Sequence, residues 1–200
     1  MPRVVPGYKD EAKRRIVSVA LDVFAEKGYD QTTMEDIGNR LGVSKGALYL
    51  YFKSKEELFR AITEQAQHQL REVINDSVGE YDLLTGAAIF LDKALSPQYR
   101  PNLYLTFEFL SEASRNEELR RILKDDHDDD IATVSGFLQD LRSQGVIRSD
   151  IDIHSMSMGM VSLYYGLRAG LIIGDDESDV KRVWVDIIKA MICPVRAASA

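Results

Sequence analysis

The chain has 200 residues, of which 45% are hydrophobic and 28% are charged, so it can bury a core and remain soluble. Its formal net charge of −7 excludes a protein that is basic over its whole surface. The single cysteine, Cys193, excludes an internal disulfide and favours a reducing compartment, which we expect to be the cytoplasm.

Apolar residues at helical spacing predict about nine helices and no strand. The first covers residues 9–27. Thr32 or Thr33 caps a short second helix that ends at Gly42, and Ser44 caps a third that runs to residue 52. The fourth helix begins at residue 54. Five more cover residues 81–95, 101–114, 117–143, 154–173 and 178–192.

The second and third helices are joined by about three residues, an arrangement typical of a helix-turn-helix, whose second helix enters the DNA major groove. Gly42 supplies a positive φ in the turn, and Gly38 is small where the helices cross. Leu48 and Phe52 face inward, so Lys45 on the opposite face can donate to guanine or to phosphate. A generic helical hairpin remains the alternative for the third helix taken alone.

Residues 16–59, IVSVALDVFAEKGYDQTTMEDIGNRLGVSKGALYLYFKSKEELF, resemble the N-terminal domain of the TetR family of bacterial and archaeal repressors. The resemblance rests on A-x-x-x-F-x-x-x-G-(Y/F), then T-T-x-x-x-I, then L-G-V-S-(K/R)-G-x-(L/I)-Y-x-(Y/H)-F-x-(S/N)-K-x-x-L. Two positions depart from it, with Gly38 in place of the usual alanine and the apolar Leu50 at a variable position.

The resemblance implies an all-α fold that forms an Ω-shaped homodimer. It has a three-helix DNA-binding domain at residues 1–54, with the helix-turn-helix at about 33–52, and a ligand-binding and dimerising helical bundle at residues 55–200. The residues that we expect to face DNA are Thr32, Thr33, Ser44, Lys45, Gly46, Ala47, Tyr49, Tyr51 and Lys55.

The eighth and ninth helices are apolar enough to predict a homodimer interface. Residues 156–174 have a membrane helix as an alternative, but Arg168 interrupts them and favours a buried helix of a soluble protein. Trp184 is the expected anchor, although these helices could instead be ordinary core. The predicted interface residues are Gly159, Leu163, Gly166, Gly170, Val180, Trp184, Ile187 and Ile188.

Aromatic residues on the fifth, sixth and eighth helices predict an effector pocket, with a plain aromatic core as the alternative. Glu108 or Arg168 would orient the ligand. The candidate lining is Phe90, Tyr104, Phe107, Glu108, Tyr164, Tyr165 and Arg168. The acidic run KDDHDDD at residues 124–130 is interpreted as a solvated helix face, and we expect no metal and no cofactor.

These patterns together predict a ligand-responsive DNA-binding transcriptional regulator. We expect a repressor that a small, largely apolar effector releases from a palindromic operator, with no membrane partner. The alternative is a helical interaction or sensor protein of the same fold that lacks specific DNA binding. An enzyme is disfavoured because the three histidines are scattered and no phosphate loop or nucleophile motif is present.

Overall fold

A computed structural model describes residues 8–78, 83–96 and 101–192. Within these ranges the chain is all-α, as predicted, and contains no strand. Cys193 and the first two residues of the predicted helix 81–95 lie outside the described residues. The helices are α1 Tyr8–Lys27, α2 Met34–Leu41, α3 Lys45–Leu48, α4 Lys55–Val78, α5 Leu83–Ala94, α6 Pro101–Ala113, α7 Glu117–Ser143, α8 Ile153–Ile173 and α9 Glu177–Ile192.

Helix α3 is shorter than predicted. Its α-helical bonds continue as far as the amide of Tyr49, which donates to Lys45 O at 3.2 Å. The next two amides, of Leu50 and Tyr51, donate instead to carbonyls three residues back. The helix therefore tightens into turns before Phe52, as helix ends commonly do.

The described residues divide into two compact units. The first contains residues up to Ala66 together with Pro101–Lys124, and the second contains Gln67–Arg100 and Asp125 onward. Helices α4 and α7 contribute residues to both units. Because the first unit includes α6, the compact units do not follow the predicted boundary between residues 54 and 55. A functional division at that boundary stays a prediction.

The first unit is built around four aromatic side chains from α1, the α1–α2 turn, α4 and α6. Phe24, Tyr29, Phe59 and Phe109 are all at most 5% exposed, and their ring centroids lie 4.5–6.0 Å apart. Tilted and edge-to-face pairs of this kind stabilise a core beyond the area that they bury. This cluster fixes the helix-turn-helix against the helices behind it within the unit.

The second unit has its own core. Leu91 of α5, Leu138 of α7, and Trp184 and Ile188 of α9 are at most 4% exposed. The indole N–H of Trp184 donates to the carbonyl of Ala87 on α5 at 2.8 Å. The only indole of the chain is therefore held inside the protomer.

Helix α8 is long and apolar enough to span a membrane by length and composition, yet only 28% of its most apolar 18-residue window is buried. Arg168, which interrupts it, is 8% exposed and lies over the ring of Tyr164. The helix was expected to be buried. Of its 21 residues, six are buried, eight are half-buried and seven are exposed within one protomer.

Candidate nucleic-acid interface and ligand cavity

The N-terminus of α2 is closed by a capping box. Thr33 Oγ1 accepts a hydrogen bond from the Asp36 amide at 3.1 Å, and Asp36 Oδ2 accepts one from the Thr33 amide at 2.9 Å. Lys27 of α1 reaches the other carboxylate oxygen at 2.5 Å. These hydrogen bonds and the lysine lower the pKa of Asp36 well below its usual range. Thr33 remains exposed, and its amide and hydroxyl both donate to the Asp36 carboxylate.

Thr32, by contrast, cannot offer its side chain to DNA. It is 1% exposed, and its hydroxyl donates to the Gly28 carbonyl at 2.7 Å. The prediction of a DNA contact at Thr32 is therefore wrong, because the hydroxyl satisfies a carbonyl at the end of α1. The adjacent Thr33 takes the capping role that the sequence left open between the two.

Two glycines lie where α2 turns into α3 and where the two helices cross. Gly42 has a φ of +72°, in the left-handed region that favours glycine. At Gly38 a Cβ would lie 3.1 Å from the carbonyl oxygen of Val43, a tighter approach than an alanine normally makes. The Val43 amide donates to the Gly38 carbonyl at 2.9 Å. The departure from alanine at residue 38 therefore matches a close crossing of the two helices.

Helix α3 presents small and basic residues on its exposed side. Ser44 caps it by accepting from the Ala47 amide at 3.2 Å. Lys45 and Gly46 are exposed, whereas Leu48 is fully buried and anchors the helix from behind. The exposed backbone at Gly46 lets a partner approach the helix closely.

The residues after α3 are mixed in exposure. Tyr49 and Tyr51 are half-buried and pack against the core of the first unit. Leu50 is 71% exposed, so it does not pack within the protomer. The predicted tyrosine contacts with DNA therefore depend on the outer edges of two rings that also support the core.

Lys55 has a second role that sequence reasoning missed. Its ammonium donates to the carbonyls of Tyr29 at 2.7 Å and of Asp30 at 3.3 Å, and it lies 4.1 Å from the centroid of the Tyr29 ring. The lysine thus joins the start of α4 to the turn after α1. A lysine at the first position of a helix gives no sequence signal for these contacts, because they join positions 25 and 26 residues apart.

The second unit contains a half-open cavity of about 330 Å³. This volume lies at the small end of the range for ligand sites. The lining is mainly apolar, and Gln144 and Val146 are its exposed members. It consists of Leu70, Ile74, Leu83, Gly86, Ala87, Phe90, Asp130, Val134, Phe137, Leu141, Gln144, Val146, Met160, Val161, Tyr164, Trp184 and Ile188.

Only two of the seven predicted pocket residues, Phe90 and Tyr164, line this cavity. Tyr165 and Arg168 are in the same unit but do not line it. The other three, Tyr104, Phe107 and Glu108, belong to α6 in the first unit. The α6 residues do not line this cavity, because an aromatic pattern does not show which helices share a core, and their place in an effector site stays a prediction.

Tyr104 and Glu108 of α6 have different surroundings in the first unit. Tyr104 is 63% exposed. The carboxylate of Glu108 accepts a hydrogen bond from the Tyr29 amide at 2.5 Å. A Cβ added to Gly28 would lie 3.1 Å from Glu108 Oε1. Glu108 therefore supports the turn after α1 and does not orient a ligand in the cavity.

The acidic run on α7 is only partly solvated. Asp130 is 9% exposed and Asp126 is half-buried, whereas Asp125, Asp128 and Asp129 are exposed. Burial raises the pKa of Asp126 to about 7 and that of Asp130 to about 6. The signal was available in the sequence, because positions 119, 122, 126, 130, 134, 138 and 141 continue the inward stripe of α7 at spacings of three and four.

The predicted dimer residues also separate into two sets. Val180, Trp184 and Ile188 are buried in the core of the second unit, so their assignment to an interface is wrong. Gly159 faces the Met191 side chain, and a Cβ on Gly170 would meet Asp175. An apolar stripe on a helix is consistent with either a core or an interface. Here the stripe of α9 packs against α5 and belongs to the core.

An uncovered face nevertheless remains on these helices. We call it the α8–α9 face and define it by the exposed residues Met158, Ser162 and Gly166 of α8 and the half-buried Val183 and Ile187 of α9. A Cβ on Gly166 would meet nothing within 4 Å among the described residues. Of the predicted interface residues, Gly166 and Ile187 lie on this face, and Leu163 is half-buried against the core.

Comparison with known proteins identifies the helix-turn-helix. The model of a family described as bacterial regulatory proteins, tetR family, matches residues 16–62. The uncharacterized HTH-type transcriptional regulator YfiR of Bacillus subtilis is 28% identical over 88% of this chain and 87% of its own length. The uncharacterized HTH-type transcriptional regulator TtgW of Pseudomonas putida is 31% identical over 49% of this chain and 74% of its own length.

Solved structures share the whole fold. A protein from Rhodococcus sp., described as a TetR-family transcriptional regulator, has a TM-score of 0.81 at 20% identity and covers 90% of this chain and 99% of its own. One from Saccharomonospora viridis, described as a transcriptional regulator in complex with choline, has a TM-score of 0.72 at 21% identity and covers 92% and 98%. At these identities the likeness concerns the fold.

Proposed function

Because this chain belongs to the TetR family of bacterial regulatory proteins, we propose that it is a repressor that binds a palindromic operator as a homodimer and is released by a small effector. The single observation that supports the DNA contact most directly is the exposed side of α3. Lys45 and Gly46 are open to solvent there, while Leu48 behind them is fully buried.

Each residue of the interface has a distinct part in this proposal. Lys45 reaches a base edge or a phosphate, and the small residues Gly46 and Ala47 let the helix enter the groove. Ser44 and Thr33, which cap α3 and α2 and are exposed, are proposed to lie beside phosphates. Tyr49 and Tyr51 fix the register by donating to phosphate oxygens, which carry no sequence information.

We propose that Lys55 contributes to DNA binding indirectly. Its ammonium is held by the carbonyls of Tyr29 and Asp30, so it orients the turn between α1 and α2. Rotation of its side chain could also bring it to a phosphate. The two roles are separable, since the first changes stability in the absence of DNA.

The homodimer is proposed through the α8–α9 face. This face is apolar or small in its residues and is left open by the protomer. A two-fold homodimer would bind a palindrome whose half-sites are about one helical turn apart, roughly 34 Å. Such a regulator acts where the chromosome is, and we place it in the cytoplasm.

The effector is proposed to enter the cavity of the second unit. Its volume of about 330 Å³ and its aromatic walls fit a small molecule with a large apolar part. The Saccharomonospora viridis structure shows that a protein of this fold can hold a small organic ligand. Binding would favour a state with weaker operator affinity, and its coupling free energy would be reciprocal between the two ligands.

The decisive experiment is a gel-shift assay with fragments of the source genome, followed by footprinting of the retained fragment. We expect a palindromic protected site and an affinity that falls steeply with salt. Lys45→Ala should weaken binding by about 5- to 150-fold, because a good contact to a guanine contributes roughly 1–3 kcal/mol. Lys93→Ala, in the second unit, is the matched control.

If no fragment is retained at low salt, the repressor proposal fails, and the helical interaction protein of the same fold becomes the better interpretation. If a fragment is retained but Lys45→Ala and Tyr49→Phe bind as the parent does, DNA binding stands and the assignment of α3 fails. Transcription from the retained promoter then decides between repression and activation.

A further inference from the structure

The cavity of the second unit has three aromatic rings in mutual contact. Phe90 of α5 stacks on Trp184 of α9, with 5.6 Å between ring centroids and 27° between ring planes. Tyr164 of α8 lies 5.6 Å from Phe90 and 6.3 Å from Trp184. Aromatic faces are electron-rich, so a wall of three rings attracts a cation as well as an apolar body.

One carboxylate shares this wall. Among the described lining residues, Asp130 is the only acidic one, and none is basic. Its Oδ2 accepts a hydrogen bond from the Tyr165 hydroxyl at 3.1 Å, which fixes the carboxylate in place from the side of α8. A buried carboxylate is costly without a cationic partner, because burial removes the water that would stabilise its charge.

Three carboxylates, including Asp130 itself, and two arginines lie around this position. The charged or titratable groups near Asp130 are Asp126, Asp129 and His127 on α7, Arg168, Tyr164 and Tyr165 on α8, and Arg71 on α4. Two of the three carboxylates are buried or half-buried, whereas Arg168 is the only buried cation among them. The guanidinium of Arg168 lies 5.1 Å from the centroid of Tyr164, so it is partly engaged by that ring.

We infer that the cavity is selective for an organic cation, meaning a quaternary or protonated amine attached to an apolar, preferably aromatic, body. The cationic group would lie against Asp130, and the apolar body against Phe90, Tyr164 and Trp184. This inference rests on the proposed function, since it names the class of effector for the same cavity.

A neutral or anionic ligand fits the cavity less well. A neutral one would cover Asp130 and remove more of its water, which raises the cost of the ionised carboxylate. An anion would add repulsion from the same group. A cation instead restores a partner to the carboxylate, so its binding should lower the pKa of Asp130 and release protons where that group is protonated.

The chain carries its own probe for this test, because Trp184 is its only tryptophan and lines the cavity. Its fluorescence is titrated with phenyltrimethylammonium and with tert-butylbenzene, which have nearly the same shape and differ in charge. We expect the cation to bind at least about tenfold more tightly than the hydrocarbon. Equal binding, tighter binding of the hydrocarbon, or no response to either would overturn the inference.

Two variants separate the carboxylate from general effects. Asp130→Asn keeps an acceptor for the Tyr165 hydroxyl and should abolish the preference for the cation while leaving tert-butylbenzene binding within about twofold. Asp129→Asn removes an equal charge from an exposed position of the same helix and should leave the preference intact. If the preference survives in Asp130→Asn, the inference is wrong.

A pH titration of the unaltered protein covers the case in which Asp130→Asn does not fold. Neither probe ionises, so any change reports the protein. Affinity for the cation should fall as the pH is lowered through about 6, where Asp130 becomes protonated, and affinity for the hydrocarbon should not. A cation affinity that does not change across this range would contradict the proposed role of Asp130.

Operator release distinguishes failure of this inference from failure of the proposed function. If both probes bind equally and either one releases the operator, ligand-responsive regulation stands and cation selectivity fails. If the cation is preferred but operator binding is unchanged, the cavity chemistry stands and its regulatory role fails.

Discussion

Glu108 of α6 accepts a hydrogen bond from the backbone amide of Tyr29, with 2.5 Å between Oε1 and N. The contact joins residues 79 positions apart, and it closes the turn that follows α1. Tyr29 in turn lies under the Lys55 ammonium. Helix α6 and the first turn of α4 therefore hold the same short turn, which leads directly into the helix-turn-helix.

Replacement of Glu108 by alanine should destabilise the first unit by about 1–3 kcal/mol, because the Tyr29 amide would lose its acceptor in a partly buried place. Urea unfolding followed by circular dichroism measures the change. Glu108→Gln keeps an acceptor and should recover at least half of the loss. Equal stability of the alanine variant and the parent would show that water replaces the carboxylate at no cost.

Lys55 should matter for stability as well as for DNA binding. Lys55→Met keeps the length of the side chain but removes two hydrogen bonds and a cation–π contact, and we expect a loss of about 1–3 kcal/mol in the free energy of unfolding. The matched control is Lys53→Met, whose parent lysine is exposed and donates to one carbonyl within its own turn. If both variants weaken operator binding and neither changes stability, Lys55 is a DNA contact only.

The buried carboxylates should make stability depend on pH. Burial raises the pKa of Asp126 to about 7, against about 3.9 in an unfolded chain. Between these values the folded state binds more protons than the unfolded state, so stability is highest below about pH 4 for this group and is lost as the pH rises through about 7. Asp126→Asn removes that loss.

The free energy of unfolding of Asp126→Asn, minus that of the parent, should therefore increase by about 2–4 kcal/mol between pH 4 and pH 8. Urea denaturation at a series of pH values gives the difference, and the other titrating groups largely cancel in it. Asp129→Asn, at an exposed position, should give a nearly constant difference. A constant difference for Asp126→Asn would mean that its carboxylate is solvated when folded.

Gly166→Arg should break the dimer without unfolding the protomer. A Cβ at this position meets nothing within 4 Å among the described residues, but an arginine would lie on the α8–α9 face. We expect sedimentation to report a monomer where the parent is a dimer. Gly136→Arg is the control, since Gly136 is an exposed helical glycine on α7 with equally open surroundings. A dimeric Gly166→Arg variant would place the interface elsewhere.

The helix-turn-helix could be read from the sequence because its signals are local. Gly42 supplies a positive φ, and a threonine caps α2 within three residues of its partner. The cavity could not be read in this way, because its lining comes from α4, α5, α7, α8 and α9 and depends on which face of each helix turns inward. Trp184 shows the limit, since a helical apolar stripe does not say whether its partner is the same chain or another.

Asp130 marks a further limit of a different kind. Its charge favoured a solvated position, and its spacing from Ile122 and Val134 favoured a buried one. The spacing was the better guide. A polar residue that interrupts an inward apolar stripe is therefore a candidate for function before it is a candidate for the surface.

The uncovered face of α8 has a consequence for how the protein persists in a cell. Since Met158, Ser162 and Gly166 of α8 are exposed within one protomer, a homodimer that covers them would supply part of the free energy that keeps the chain folded. The melting temperature should then rise with protein concentration, as mass action requires. A regulator present in few copies would hold a larger share of its chains in the dissociated, proteolysis-sensitive form, so its abundance and its lifetime would be coupled.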